Sequence, residues 1–436
     1  MNGFKKMAAA LALGAIAVSG AFAGGQQAAP AKTKDKTIKF LTIWAEDRDN
    51  SKLIMELTRE YQKEHPEFKV DFELVAITDI RQKVKVLLAA NDLPDAFIYE
   101  SGRPIVELID AGVLVDLEAE FKKMGIFDSL DPGAVSLLKS LALGRGLYDL
   151  PLGMNMEGFW YNKKVFKDLG LSVPKTWDDM LAAAEKIKAA GVQPFTAGGK
   201  DKWPLTRVVN AYVMRKMGVD AMDKAVAGEL SFTDPGFIEA ARVVQDMAKK
   251  GYFGPGPTTV DYSTAADMLM TGKAAMLYNG SWFTQDLNNA QRNVAGPDGI
   301  GYFNIPLVAG GKGAMDDYSV NCGNIISFSK AKWDPAIADW VKFVFTRYGD
   351  YAINQQGTLK GFKVSKMPEN LPSYTKLVAE EMKKVKNAGL WFEARLDDKS
   401  SKIAQDNGQA LFIGAITPED FFKQLDLSTK EFKASK

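Results

Sequence analysis

The hydrophobic pattern becomes regular from Thr37. Ile38 to Trp44 is short and rich in β-branched and aromatic residues, as a buried strand requires. Between Asn50 and Glu64, Leu53, Leu57 and Tyr61 fall along one helical face, and Pro66 ends the run. Val70, Phe72 and Leu74 alternate with Lys69, Asp71 and Glu73, which predicts a half-exposed strand. A second helix follows over about 79–90, with Ile80, Val84, Leu87 and Leu88 on one side, and then a third strand from Ala96 to Tyr99. The order β-α-β-α-β predicts a parallel, right-handed, doubly wound α/β sheet. Ligands of such sheets bind beyond the carboxyl ends of the strands. Two loops emerge there, Trp44-Ala45-Glu46-Asp47-Arg48 and Tyr99-Glu100-Ser101-Gly102-Arg103, each joining an aromatic to charged or hydroxyl groups.

The character changes near Leu150-Pro151. A strand is predicted at Phe159-Trp160-Tyr161, then a mostly helical stretch. Thr176-Trp177-Asp178-Asp179 is a capping signature whose helix carries Trp177, Leu181 and Ala184 on one face, so Trp177 is assigned to the core. Further helices are predicted at 206–217, 235–250 and 262–271, and strands at 274–278, 300–305 and 323–328. Thr417-Pro418 starts another helix, with proline at its first position. No internal repeat is present.

The amino terminus bears on location. Lys5 and Lys6 precede the apolar run Met7 to Val18, and Ala21-Phe22-Ala23 places small residues where a signal peptidase reads them. Met7 to Ala23 spans only 17 uncharged residues, short of the ~20 of a membrane span. Residues 1–23 are therefore expected to be a cleaved signal peptide and 24–36 a flexible leader. Removing Lys5 and Lys6 leaves 53 basic residues against 54 acidic ones, a balance that does not suggest nucleic acid as a partner. The remaining 413 residues are enough for two or three domains at ~150 residues each.

Cys322 is the single cysteine and His65 the single histidine, which excludes an intramolecular disulfide, Cys/His zinc patterns and any Ser-His-Asp relay without His65. No cofactor or metal is expected. Thr271-Gly272-Lys273-Ala274 ends like a phosphate loop, but Asp267 stands where its first glycine belongs and Ala274 where Ser or Thr belongs. The distinctive chemistry is aromatic. Trp44, Trp203 and Trp282 lie in loop contexts among Gly, Asp or Lys neighbours. A pyranose offers an apolar C–H face and a rim of hydroxyls, which suits an aromatic plane ringed by polar side chains.

The chain resembles the family 1 extracellular solute-binding proteins of ABC importers along its whole mature length. The landmarks include Ile43-Trp44, Leu88 to Asp95, Ala111 to Leu117, Tyr161-Asn162-Lys163-Lys164-Val165-Phe166, Pro174 to Asp179, Gly272 to Met276, Gly280-Ser281-Trp282 and Ile326 to Lys330. The resemblance implies a two-lobed periplasmic-binding-protein (type 2) fold with the ligand in the cleft. Crossings are expected near Leu150-Pro151 and Ile305-Pro306, giving a first lobe of 37–150 and 306–346 and a second of 151–305 and 347–436. It further implies that Trp44, Glu46, Asp47, Tyr99, Ser101 and Arg103 line the first lobe. Asn155, Asp201, Trp203 and Trp282 would line the second, with Asn321, Gly323 and Asn324 on a strand facing the cleft and Arg395 and Asp397 beyond. Many relatives have glycine where Cys322 stands.

The function so implied is capture of a mono- or oligosaccharide by lobe closure and its delivery to an inner-membrane permease. With no cysteine for a lipid at the cleavage site, the periplasm of a two-membrane bacterium is the expected location, and a monomer the expected state. Two alternatives stay open: a binder of a non-sugar such as a polyol, and a carbohydrate-active enzyme. The enzyme would draw its two carboxylates from Glu46, Asp47, Glu157, Asp317 and Asp397.

Overall fold

The computed structural model describes residues 36–435. The expected signal peptide lies outside the described residues, as does the leader except for Lys36, the first residue of a strand whose ammonium binds Asp334 at 2.8 Å. Ten strands follow in chain order: β1 (Lys36–Thr42), β2 (Phe68–Leu74), β3 (Ala96–Glu100), β4 (Asn155–Asn162), β5 (Gln193–Thr196), β6 (Ala274–Gly280), β7 (Ile300–Phe303), β8 (Asp317–Asn321), β9 (Asn324–Phe328) and β10 (Asn387–Gly389).

They form two sheets, and the molecule has two lobes. The first sheet has the order β2-β1-β3-β9. Its first three strands are parallel, as the β-α-β-α-β pattern requires, with β9 antiparallel on the edge of β3. Helices Asp49–Tyr61 and Ile80–Ala89 make the two crossovers. The second sheet runs β10-β8-β4-β6-β5, with β7 also paired to β4. Its central strand is covered on both sides: Phe159 enters one core with Phe195 and Tyr278, and its neighbour Trp160 enters the other with Leu277 and Phe283. Trp177 is buried edge-to-face on Phe159, and Thr176 and Asp179 complete the capping box of its helix.

The chain leaves the first sheet just after Leu150 and returns to it at a different place from that expected. Leu150 bridges to Ile326 of the first sheet, and five residues later Asn155 pairs with Asn321 of the second. The return path is Cys322-Gly323, between β8 and β9. Ile305-Pro306 is not a crossing: Ile305 is fully buried in the second lobe's core, where its carbonyl accepts from Arg215 Nε at 2.8 Å. The segment 306–346, expected in the first lobe, is thus divided, with β8 in the second sheet and β9 in the first. Helix Pro335–Gln356 runs past the expected boundary and buries Tyr348 and Ala352 in the first core, where Phe362 joins them.

Candidate functional site

Where the two crossing segments run side by side, a polar cluster closes the gap between them. Asn155 donates through Nδ2 to Asn321 Oδ1 at 3.2 Å, and Ser281 Oγ donates to Asn155 Oδ1 at 3.3 Å. Asn321 Oδ1 also accepts from the Gly323 amide at 2.7 Å, while its Nδ2 donates to Glu157 Oε1 at 2.6 Å. Gly323 has φ of +68°, a turn that a side chain would strain. Each asparagine therefore works as both donor and acceptor, which a buried polar group needs to offset its lost hydration.

Above this floor stands an aromatic group. Trp203 opens helix Trp203–Met217, and Trp282 sits in the turn after β6. Their rings meet edge-on, with centroids 5.9 Å apart and planes at 68°. Tyr262, at the start of helix Tyr262–Met270, lies 6.1 Å from Trp203. It is fixed at both ends: its amide donates to Asp201 Oδ2 at 2.7 Å, and its hydroxyl accepts from Asn279 Nδ2 at 3.1 Å. Trp203 and Trp282 are both only half-buried, so part of their ring surface stays open.

Arg207, one turn after Trp203, carries the charge of the site. Its guanidinium lies 5.4 Å from the Trp203 ring and 5.6 Å from Trp391, a cation–π arrangement on both. It pairs with Glu157 and, at 3.8 Å, with Glu393. Glu157 is 0% exposed, and its Oε2 has no hydrogen-bond partner among the described residues. Burial pushes the Glu393 carboxyl up, against the pull of Arg207 and Thr206.

Opposite lies the loop after β1. Trp44 is half-buried against the first core, and its amide donates to Thr42 Oγ1 at 3.2 Å. Burial raises the Asp49 carboxyl, and the Lys360 and Arg48 cations temper it. Asp286 is pushed up to about 6, first by burial and then, against Arg292, by repulsion from Asp49 and Asp267.

Residues 44–347 match the family described as bacterial extracellular solute-binding protein. The chain belongs to this family. An uncharacterised ABC transporter extracellular-binding protein of Pyrococcus horikoshii is 24% identical over 431 residues, which cover 97% of this chain and 90% of that one. The multiple sugar-binding protein of Streptococcus mutans is 24% identical over 292 residues, 65% of this chain and 66% of its own length. Among solved structures, a chitin oligosaccharide binding protein superposes with a TM-score of 0.82 at 25% identity, covering 91% of this chain and 98% of that chain. A solute-binding protein in complex with raffinose gives 0.71 at 21% identity, covering 91% and 100%.

The solute-binding protein brings some of its expected site residues together and disperses others. Asn155, Asn321 and Gly323 meet at the crossing, and Trp203 and Trp282 meet above it, with Asp201 acting through Tyr262. Asn324 pairs with Glu100 at the sheet edge. Glu46 turns outward to pair with Arg59, and Asp47 is exposed. Tyr99, 1% exposed, packs against Phe97 inside the first core, because β3 is covered on both faces. Asp397 caps the helix Asp398–Phe412, accepting from the Lys399 and Ser400 amides at 3.0 and 3.1 Å. Arg395 is held by the Ser140 and Leu141 carbonyls at 2.9 and 3.2 Å. Ser101 and Arg103 have buried polar atoms without a hydrogen-bond partner among the described residues. Arg207, Tyr262 and Trp391 join the same cluster without a local sequence signal. Arg207 and Tyr262 look like ordinary helix positions, and only tertiary packing brings Trp391 beside Arg207.

Proposed function

We propose that this protein is the substrate-binding component of an ABC importer, holding a carbohydrate between its lobes and passing it to a membrane permease. The observation that carries this reading is the half-buried Trp203–Trp282 pair linked through Arg207 to the Glu157, Asn321 and Asn155 cluster. Such a site offers an apolar face to a sugar ring and a choice of donors and acceptors to its hydroxyls. The sugar-binding names of the relatives support the same ligand class. Lobes that both touch the ligand only when closed are drawn together by it, which excludes water from the hydroxyl contacts. A disaccharide of about 23 heavy atoms, at ~0.3 kcal/mol each, gives ~7 kcal/mol and a micromolar-scale affinity. The family description and the expected signal sequence support action outside the cytoplasmic membrane, in the periplasm.

Four of the five carboxylates on which a hydrolytic reading would draw have other engagements, and the fifth, Asp47, is exposed. Glu46 pairs with Arg59, Glu157 with Arg207, and Asp397 caps a helix, while Asp317 accepts from the Ala314 amide at 2.7 Å and from Asn387 Nδ2 at 2.8 Å. The test is a thermal-shift screen against mono- and oligosaccharides, followed by calorimetry on the hits and chromatography of the recovered ligand. Saturable binding with the sugar returned intact is the expected result. Failure of every saccharide to bind, or release of shorter products, would overturn the reading.

A further inference from the structure

Trp203 follows directly on a strained residue. Lys202 has φ of +66° and ψ of −57°, a tight γ-turn conformation that is rare for a residue carrying a side chain. Such a turn persists only where its surroundings over-determine it, and here they act from two sides. Toward residues 257–262, a Cβ on Gly199 would run into the Pro257 carbonyl, and one on Gly198 into the Tyr262 backbone. The Lys200 amide donates to the Val260 carbonyl at 2.9 Å, and Asp201 Oδ2 accepts from the Tyr262 amide at 2.7 Å. Toward helix Asp398–Phe412, Lys202 Nζ donates to Asp406 Oδ1 at 2.6 Å, and Gln409 Nε2 donates to the Gly199 carbonyl at 2.9 Å.

The consequence of the turn lies one residue further on. The Lys202 carbonyl accepts from the Leu205 amide at 3.0 Å, so the turn sets the direction in which helix Trp203–Met217 departs. That direction places the Trp203 ring and, one turn later, Arg207 beneath it. The same loop fixes Tyr262 through Asp201, so a single clamp holds two rings 6.1 Å apart. Returning Lys202 to the ordinary helical φ of about −63° would turn the chain by roughly 130° just ahead of Trp203. The pair with Asp406 is part-exposed, and such pairs contribute little to stability. What it supplies is a fixed position for the lysine.

We propose that Lys202 is a positioning residue for ligand binding, whose strained turn, clamped from both sides, aims Trp203 at the ligand. The inference rests on the carbohydrate reading above. Its experiment uses the full chain and the tightest binder among chitotriose, xylotriose, maltotriose and raffinose. Calorimetry is run on Lys202→Val, Lys202→Gly and Lys202→Arg, with near-ultraviolet circular dichroism of the empty proteins and their thermal midpoints. Valine is at odds with positive φ, glycine accepts it, and arginine keeps the reach to Asp406. Lys202→Val is expected to bind about tenfold weaker or worse and to alter the tryptophan spectrum, Lys202→Gly to stay within about threefold, and Lys202→Arg to match the parent chain. Valine and glycine both remove the ammonium, so a role confined to the ion pair would weaken them alike. Should Lys202→Val fail to fold, Lys202→Ala repeats the contrast with glycine, since any Cβ disfavours this φ. Equal affinity in the valine (or alanine) and glycine variants would overturn the proposal, as would a folded Lys202→Val with the affinity and spectrum of the parent chain. If no saccharide binds the parent chain, the carbohydrate reading falls, and the spectra decide the turn separately. A change in Lys202→Val absent from Lys202→Gly then supports its hold on Trp203, and no change overturns it.

Discussion

Gly280 lies directly beneath the indole of Trp282, so close that a methyl group on its Cα would fall within the ring. The glycine ending β6 is thus what lets the indole fold back over the strand, and the orientation of the ring depends on a hydrogen two residues earlier. Gly280→Ala is expected to displace the indole and weaken saccharide binding several-fold while the chain stays folded. Calorimetry alongside circular dichroism checks this; unaltered affinity would show that the ring's position is immaterial.

Arg207 pairs with two carboxyl groups that are almost wholly out of water. Arg207→Met would strand Glu157 and Glu393, and breaking a buried pair in this way costs about 3–5 kcal/mol. Chemical denaturation should show a loss of that order, with partial recovery when Glu157→Met is added. A single variant as stable as the parent chain would mean that the pair carries little of the fold.

Asp149 sits beside the crossing, 2% exposed, with Oδ2 lacking a hydrogen-bond partner among the described residues. Burial raises its pKa to about 7. Because the folded form holds its proton more tightly than the unfolded chain, this residue's contribution to stability falls as pH rises from about 4 to about 7, and levels off above. Asp149→Asn should therefore raise the melting temperature at pH 8 and change it little at pH 4. Equal shifts at both pH values would contradict this.

The first sheet is legible in the sequence because β1 to β3 alternate with amphipathic helices, and each strand carries its own short apolar run. β8 is not. Asp317, Ser319 and Asn321 lie buried mid-sheet and look like loop residues, since Asn304, Asn387 and Glu157, from distant parts of the chain, satisfy Asp317 and Asn321. With β8 read as loop, a proline at Pro306 resembles the linker, whereas the chain turns at Cys322-Gly323 in a two-residue link between two strands. At the site, Trp203 and Trp282 were visible from their loop surroundings. Arg207 and Trp391, 184 positions apart, come together only through packing that no local pattern encodes.

The central claim is that the exposed face of the Trp203–Trp282 pair holds the ligand. Titration calorimetry with whichever neutral oligosaccharide binds the parent chain best, repeated on Trp282→Ala, tests it most directly. The account predicts affinity at least tenfold weaker, a loss of about 1.4 kcal/mol or more, with the thermal midpoint of the empty protein little changed. Binding of undiminished strength by the folded variant would contradict it.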